Sequence, residues 1–347
     1  MYSEQFGLTG RPFQLTPDPR FYFESATHKK AMAYLGYGLA QGEGFIVVTG
    51  EVGAGKTTLV GHLMDTVDRN RVNAVRIVST QLEGDDMLRM VAVTLGLPVE
   101  GADKAQLLGR VEQFVADRAR TGQRTLLIVD EAQNLPVSSL EELRMLSNFQ
   151  TGGQSMLQIF LLGQPEFRDR LNDPEQLEQL RQRVIATHHL TAMQQDEIGP
   201  YIIHRMKLVG WTGLPSFDES AFAAVYRYSH GIPRRVNTLM TRVLLMASLE
   251  KAEKIDGAMI DAVIADLGQD EAAAANREQG TLKLVETHSG MPHDPQSLDL
   301  AARVAMLEAH VEEQGAALRR IIALLVDWVE ADEAKHAAGE IRRAPFI

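Results

Sequence analysis

The sharpest chemistry in the chain lies in eight consecutive residues. Gly50-Glu51-Val52-Gly53-Ala54-Gly55-Lys56-Thr57 fit the pattern G-x-x-x-x-G-K-[ST]. Glycines at such positions let successive backbone N–H groups converge on phosphate oxygens with no Cβ in the way. A helix starting at the end of the run adds the partial positive charge of its N-terminus. In this pattern Lys56 reaches the β- and γ-phosphates of a nucleoside triphosphate, and the Thr57 hydroxyl ligates Mg2+. Thr58 belongs to the same nucleotide-binding segment.

A phosphate loop needs a carboxylate on its metal side. Leu126-Leu127-Ile128-Val129-Asp130-Glu131 is an apolar run ending in two acids. A buried strand would aim both at the carboxyl edge of a sheet, where ligands bind. Asp130 then holds Mg2+ through water, and Glu131 orients or deprotonates the attacking water.

The elements around these residues follow from patterning. Phe45 to Thr49 is a short β-branched run between glycines, which suits a buried strand feeding the loop. Similar runs occur at Ala74 to Val78, Thr125 to Val129, Leu157 to Leu162 and Val184 to His189. Helical patterns separate them, and Ser25 is placed to cap a helix running to about Gln41. Alternation of this kind implies a mostly parallel sheet flanked by helices. Residues 6–23 are rich in aromatics and proline, so this arm should be ordered without being helical.

The pattern changes after residue 192. From there to Leu267 only helical periodicity is visible, with Phe217, Phe222, Val225 and Tyr226 on one face and Val236, Leu239, Val243 and Leu244 on another. The expected organisation is an α/β domain with its arm over 1–192 and an all-helical lid over 193–267. A linker over 268–297, an amphipathic helix over 298–335 and a tail over 336–347 complete it. In that helix Val304, Val311, Leu318 and Leu325 take heptad a positions; Leu300, Leu307, Gln314, Ile321 and Trp328 take d. It reads as a short coiled coil, or as one helix packed on its own protein.

Composition closes off other classes. A length of 347 residues suits two domains and an appendage, at roughly 150 residues per domain. With no cysteine there is no disulfide scaffold, zinc finger or thiol nucleophile. A net charge of −11 opposes coating of nucleic acid by bulk charge, although residues 200–255 carry eight Lys/Arg against four Asp/Glu. No run approaches the roughly 18 apolar residues of a membrane span. No basic stretch leads into an apolar one at Met1 to Phe13, so a cytoplasmic protein is expected.

Several nucleotide-hydrolysing classes fit less well. The guanine motif N-K-x-D is missing. Thr151-Gly152-Gly153-Gln154 resembles a transporter signature but follows the acid pair, so it reads as a loop. Asp130-Glu131-Ala132-Gln133 resembles a helicase box without the remaining helicase motifs.

The order of strand, phosphate loop, acid pair, polar-tipped strand, arginine and helical lid resembles the AAA+ ATPases. That resemblance implies an α/β P-loop NTPase fold, a parallel sheet flanked by helices with a helical lid, binding ATP and Mg2+. It places Gln164, in Gly163-Gln164-Pro165-Glu166, at the first sensor, where Asn or Thr is usual; an ordinary turn residue is the other reading. It makes Arg183, with Arg181 in reserve, the arginine that enters a neighbour's site in a homo-oligomeric ring. It makes Arg234, in Gly231-Ile232-Pro233-Arg234, the second sensor above the triphosphate.

Finer motifs narrow it. Phe6-Gly7-Leu8, Pro12-Phe13, Leu15-Thr16-Pro17-Asp18-Pro19-Arg20-Phe21, Gly44-Phe45 and Asp130-Glu131-Ala132-Gln133-Asn134 resemble the ExeA/general secretion pathway A group over residues 1–267. The subgroup most resembled is the secretion ATPase found with exosortase/PEP-CTERM and exopolysaccharide genes. The resemblance implies a protein partner in an envelope export system, reached through the C-terminal helix, and a peripheral place at the inner membrane. It also sets Pro17-Asp18-Pro19 near the adenine. The membrane span and periplasmic domain of the longer relatives are not expected here. A DNA-binding regulatory ATPase of the MuB/TniB transposition type is the alternative.

Overall fold

The computed structural model describes residues 2–42, 44–78, 82–151, 154–173 and 177–268. The linker, heptad helix and tail expected after residue 268 lie outside them.

Five strands form one parallel sheet: β1 (Phe45–Gly50), β2 (Val72–Val78), β3 (Arg124–Asp130), β4 (Leu157–Gly163) and β5 (Val184–Leu190), in the order β2-β3-β4-β1-β5. Each expected strand is present, longer by one or two residues. The apolar runs are continuous because successive side chains feed two different cores. Phe45, Val47, Leu127, Val129, Ile159 and Leu161 face one side; Ile46, Val48, Leu126, Ile128, Phe160 and Leu162 face the other. The first side is covered by α3 (Gly84–Thr94), α4 (Lys104–Arg120) and α5 (Val137–Leu146). The second is covered by α1 (Ala26–Gln41) and α2 (Lys56–Thr66). A further helix, α6 (Pro165–Asn172), follows β4 and adds Phe167 and Leu171 to the first core.

Helix α1 starts and stops as its sequence directs. The Ser25 side chain accepts from the His28 N–H, and Gly42 ends the helix in the left-handed region at φ 75°. The lid holds α7 (Gln195–Leu208), α8 (Glu219–Ser229), α9 (Pro233–Leu249) and α10 over 257–268. It is not wholly helical: Ser216–Phe217 pairs in parallel with Lys254–Ile255. Two residues are too few to show an alternating pattern, so this pairing left no trace in the sequence. Gln150–Thr151 and Gln154–Ser155 likewise form a small antiparallel pair where only a loop was expected.

The arm packs into the lid. Phe6, Leu8, Phe13 and Phe21 share one core with Ile198, Ile202, Val236 and Leu239. The strip is not free of helix: Tyr2–Gln5 makes one turn before it and Pro19–Phe21 a 3-10 turn within it. Buried Arg205 of α7 binds the arm in place. Its Nε donates to the Pro12 carbonyl at 2.6 Å, its Nη1 to the Tyr201 hydroxyl at 2.9 Å, and its guanidinium lies 4.7 Å from the Phe21 ring centre.

Candidate nucleotide-binding site

The loop between β1 and α2 leaves the carboxyl edge of an interior strand. Gly53 and Gly55 sit at φ 84° and 96°, in the left-handed region that favours glycine. Space forbids a side chain at either. A Cβ on Gly53 would lie 2.3 Å from the Arg234 Cβ, and one on Gly55 2.8 Å from His28 Nε2. Lys56, at 6% exposure, folds back over the loop and donates to the Gly50 and Glu51 carbonyls at 2.6 and 3.1 Å. Burial lowers its pKa, against the opposing pull of Glu131, Asp130 and Glu51.

The acid pair ends β3 as expected. Asp130 is buried; its Oδ1 accepts from the Glu131 N–H at 3.0 Å and its Oδ2 from the Thr57 hydroxyl at 3.2 Å. Glu131 occupies the left-handed region at φ 58°, a conformation that costs a non-glycine residue and clusters at functional sites. Two amides hold its Oε2: Gln133 Nε2 at 2.6 Å and Gln164 Nε2 at 3.4 Å. The Gln133 Oε1 also accepts from the Gln164 N–H at 3.0 Å. Gln133 received no role from the sequence. The acid run gave no sign of it, because its contact to β4 depends on the sheet register.

A cavity of about 300 Å³ opens above the loop. Pro17 and Asp18 of the arm, Gly53 and Lys56 of the loop, and Arg234 of the lid lie on its walls, as do Glu131 and Gln164. Helix α9 meets the loop directly, the Arg234 N–H donating to the Gly53 carbonyl at 3.2 Å. Glu197 ties the other lid helix to α1, accepting from the Gln194 N–H at 2.9 Å and the Ala26 N–H at 2.7 Å.

His28 buttresses the loop from beneath. A 2.7 Å hydrogen bond joins its Nδ1 to the Ser25 hydroxyl, and burial pushes its pKa down to about 4, against the opposing effect of Glu197. The unfolded chain takes up this proton near pH 6.5, the folded chain only near 4. Stability is therefore full above about pH 6.5 and falls as the pH drops toward 4, by up to about 3 kcal/mol. Urea unfolding at pH 7 and pH 4.5 should show a steeper loss in wild type than in His28→Asn. Equal losses would remove His28 as the cause.

Residues 39–171 match the family described as AAA domain. Over 256 residues the chain is 34% identical to General secretion pathway protein A of Aeromonas hydrophila, covering 74% of this chain.

The chain carries an AAA domain.

It spans 46% of the length of that curated relative. Among solved structures, the ADP form of the Aeropyrum pernix ORC2 protein aligns with TM-score 0.56 and 17% identity, covering 74% of this chain and 72% of that one. The Aeropyrum pernix ORC1 protein in complex with DNA aligns with TM-score 0.55 and 14% identity, covering 88% and 87%. At such identities these two show the shared fold.

This AAA+ chain fits a magnesium nucleotide. The two positive-φ glycines make a cradle that a Cβ would fill. The Thr57 hydroxyl and Asp130 carboxylate are hard oxygen donors, suited to Mg2+, which usually takes one or two protein oxygens and completes its shell with phosphate and water. Among the described residues no group of three or more His, Asp or Glu is gathered to hold a metal without nucleotide.

The arginines before β5 are not brought into this site. Arg183 sits at the start of β5, where its carbonyl accepts from the Phe45 N–H at the amino edge of the sheet. Its Nη1 donates to Ser147 Oγ at 3.4 Å, while Arg181 is exposed. Among the described residues no helix is long and apolar enough to cross a membrane.

Proposed function

We propose that this AAA+ ATPase binds ATP and Mg2+ between the phosphate loop and the lid, hydrolyses the ATP, and powers or regulates a bacterial envelope export system. One observation carries the chemistry: Glu131 lines the cavity and is held by Gln133 and Gln164, beside the Thr57–Asp130 pair. Similarity to General secretion pathway protein A supports the export role. The finer assignment, by sequence resemblance, is to the export systems found with exosortase/PEP-CTERM and exopolysaccharide genes.

The backbone of Gly50 to Thr58 cradles the phosphates, and Lys56 Nζ leaves its loop carbonyls to meet them. Thr57 and Asp130 would hold Mg2+, which would neutralise charge on the phosphate oxygens. Glu131 takes a proton from the attacking water as its oxygen bonds the γ-phosphorus. The bond from that phosphorus to the β–γ bridging oxygen breaks, and ADP departs. Gln164 keeps the Glu131 carboxylate oriented. Arg234 reports the triphosphate to α9, whose first turn already touches the loop. The arm strip at Pro17 and Asp18 walls the adenine.

Arg183, or Arg181, completes the site of a neighbouring copy in a ring. A partner bound through residues 298–335 brings the ring to the inner membrane. Mixing Arg183→Ala with Lys56→Ala protomers should therefore recover part of the hydrolysis that each lacks alone. Assembled mixtures with no recovery would return Arg183 to a structural role. Hydrolysis that rises with duplex DNA at low salt and fades as salt increases would shift the reading to the MuB/TniB transposition type.

A further inference from the structure

Strand β2 reads Val72-Asn73-Ala74-Val75-Arg76-Ile77-Val78, with one arginine inside an otherwise apolar stretch. Register explains where its side chain goes. Arg76 pairs with Ile128 and Val78 with Asp130, so period-two alternation puts Arg76 and Asp130 on the same face, one diagonal step apart. The Arg76 Nη2 donates to Asp130 Oδ2 at 2.6 Å. This is the same oxygen that accepts from the Thr57 hydroxyl. The Asp130 side chain is 2% exposed and that of Arg76 27%. The Arg76 Nε is buried with no hydrogen-bond partner among the described residues.

Two facts follow from electrostatics. A buried carboxylate is costly unless a charge or several donors face it, and Arg76 supplies the only salt bridge described for Asp130. The same guanidinium places a positive charge against the oxygen on the metal side, where it opposes any second cation. Phosphates reverse this, because their negative charge is attracted to the guanidinium and to the metal alike.

We propose that Arg76 is a positioning residue that serves as the internal counter-cation of Asp130 and raises the Mg2+ concentration the site requires. It keeps Asp130 satisfied while the loop is empty and biases the site toward metal that arrives with a triphosphate. This rests on the reading of Asp130 as the metal-side carboxylate.

The test is equilibrium binding of a fluorescent ATP analogue to the full chain while Mg2+ is varied, with thermal melting as the control for folding. Arg76→Met and Arg76→Gln should lower the Mg2+ concentration for half-maximal binding by about three- to tenfold, the size of one unit charge acting across a partly screened distance. Arg76→Lys should stay near wild type. Gln retains a donor to Asp130, so it keeps the test open if Met fails to fold. Folded Met or Gln variants with an unchanged or higher Mg2+ midpoint would overturn the proposal, and a role confined to folding would lower the melting temperature alone. Wild-type binding indifferent to Mg2+ would remove the metal-side reading of Asp130, and the role of Arg76 with it. Metal-dependent wild type with unmoved variants overturns Arg76 alone.

Discussion

Replacing Glu131 by Gln leaves nucleotide binding intact and slows hydrolysis by about 10²–10⁴-fold, the usual contribution of a positioned general base. The substitution is conservative in shape. The amide oxygen can still accept from Gln133 Nε2, which holds the native carboxylate at 2.6 Å. The left-handed backbone at φ 58° stays as it is. What disappears is the ability to take a proton. Single-turnover hydrolysis beside equilibrium nucleotide binding separates the two effects. Unchanged turnover in a protein of unchanged melting temperature would remove Glu131 from this role.

Lys56→Ala abolishes measurable nucleotide binding. The Lys56 amine is buried, and its hydrogen bonds run to the two carbonyls of its own loop. Exchanging those carbonyls for anionic oxygens gives charge-assisted bonds of about 1.5–3 kcal/mol each, so two of them account for a loss of at least about 10²-fold. Removing the amine also removes a desolvated cation, so the empty protein should melt no earlier than wild type. Calorimetric titration with a non-hydrolysable ATP analogue gives the answer. Near-native affinity would end the phosphate-loop assignment.

Local chemistry and strand placement were legible in the sequence. Val47, Ile128 and Phe160 belong to strands buried on both faces, so their neighbours are apolar without a break. The phosphate loop is equally plain, because its requirements lie within eight residues. Less legible were the groups that reach the site across the fold. Gln133 reaches Glu131 locally, but it meets Gln164 only because β3 and β4 are neighbours in the sheet. Arg76 looks like an exposed strand residue until the register sets it diagonal to Asp130. His28 belongs to α1 by its spacing, and its approach to Gly55 depends on how α1 packs on the sheet. The arm's aromatic residues announced burial but not their partner, because irregular spacing carries no periodic signal.

The lid core is built from two stretches far apart in the chain. Phe6, Leu8, Phe13 and Phe21 are synthesised before the whole α/β layer, and Ile198, Val236 and Leu239 after it. During translation the arm therefore has no home until α7 to α9 have left the ribosome. Its aromatic side chains must be kept from wrong partners meanwhile, by transient burial or by chaperones. Closure of so distant a pair also carries a loop-closure entropy cost that neighbouring elements do not. Because arm and lid wall the same cavity, a chain gains its nucleotide site only when this last closure is made.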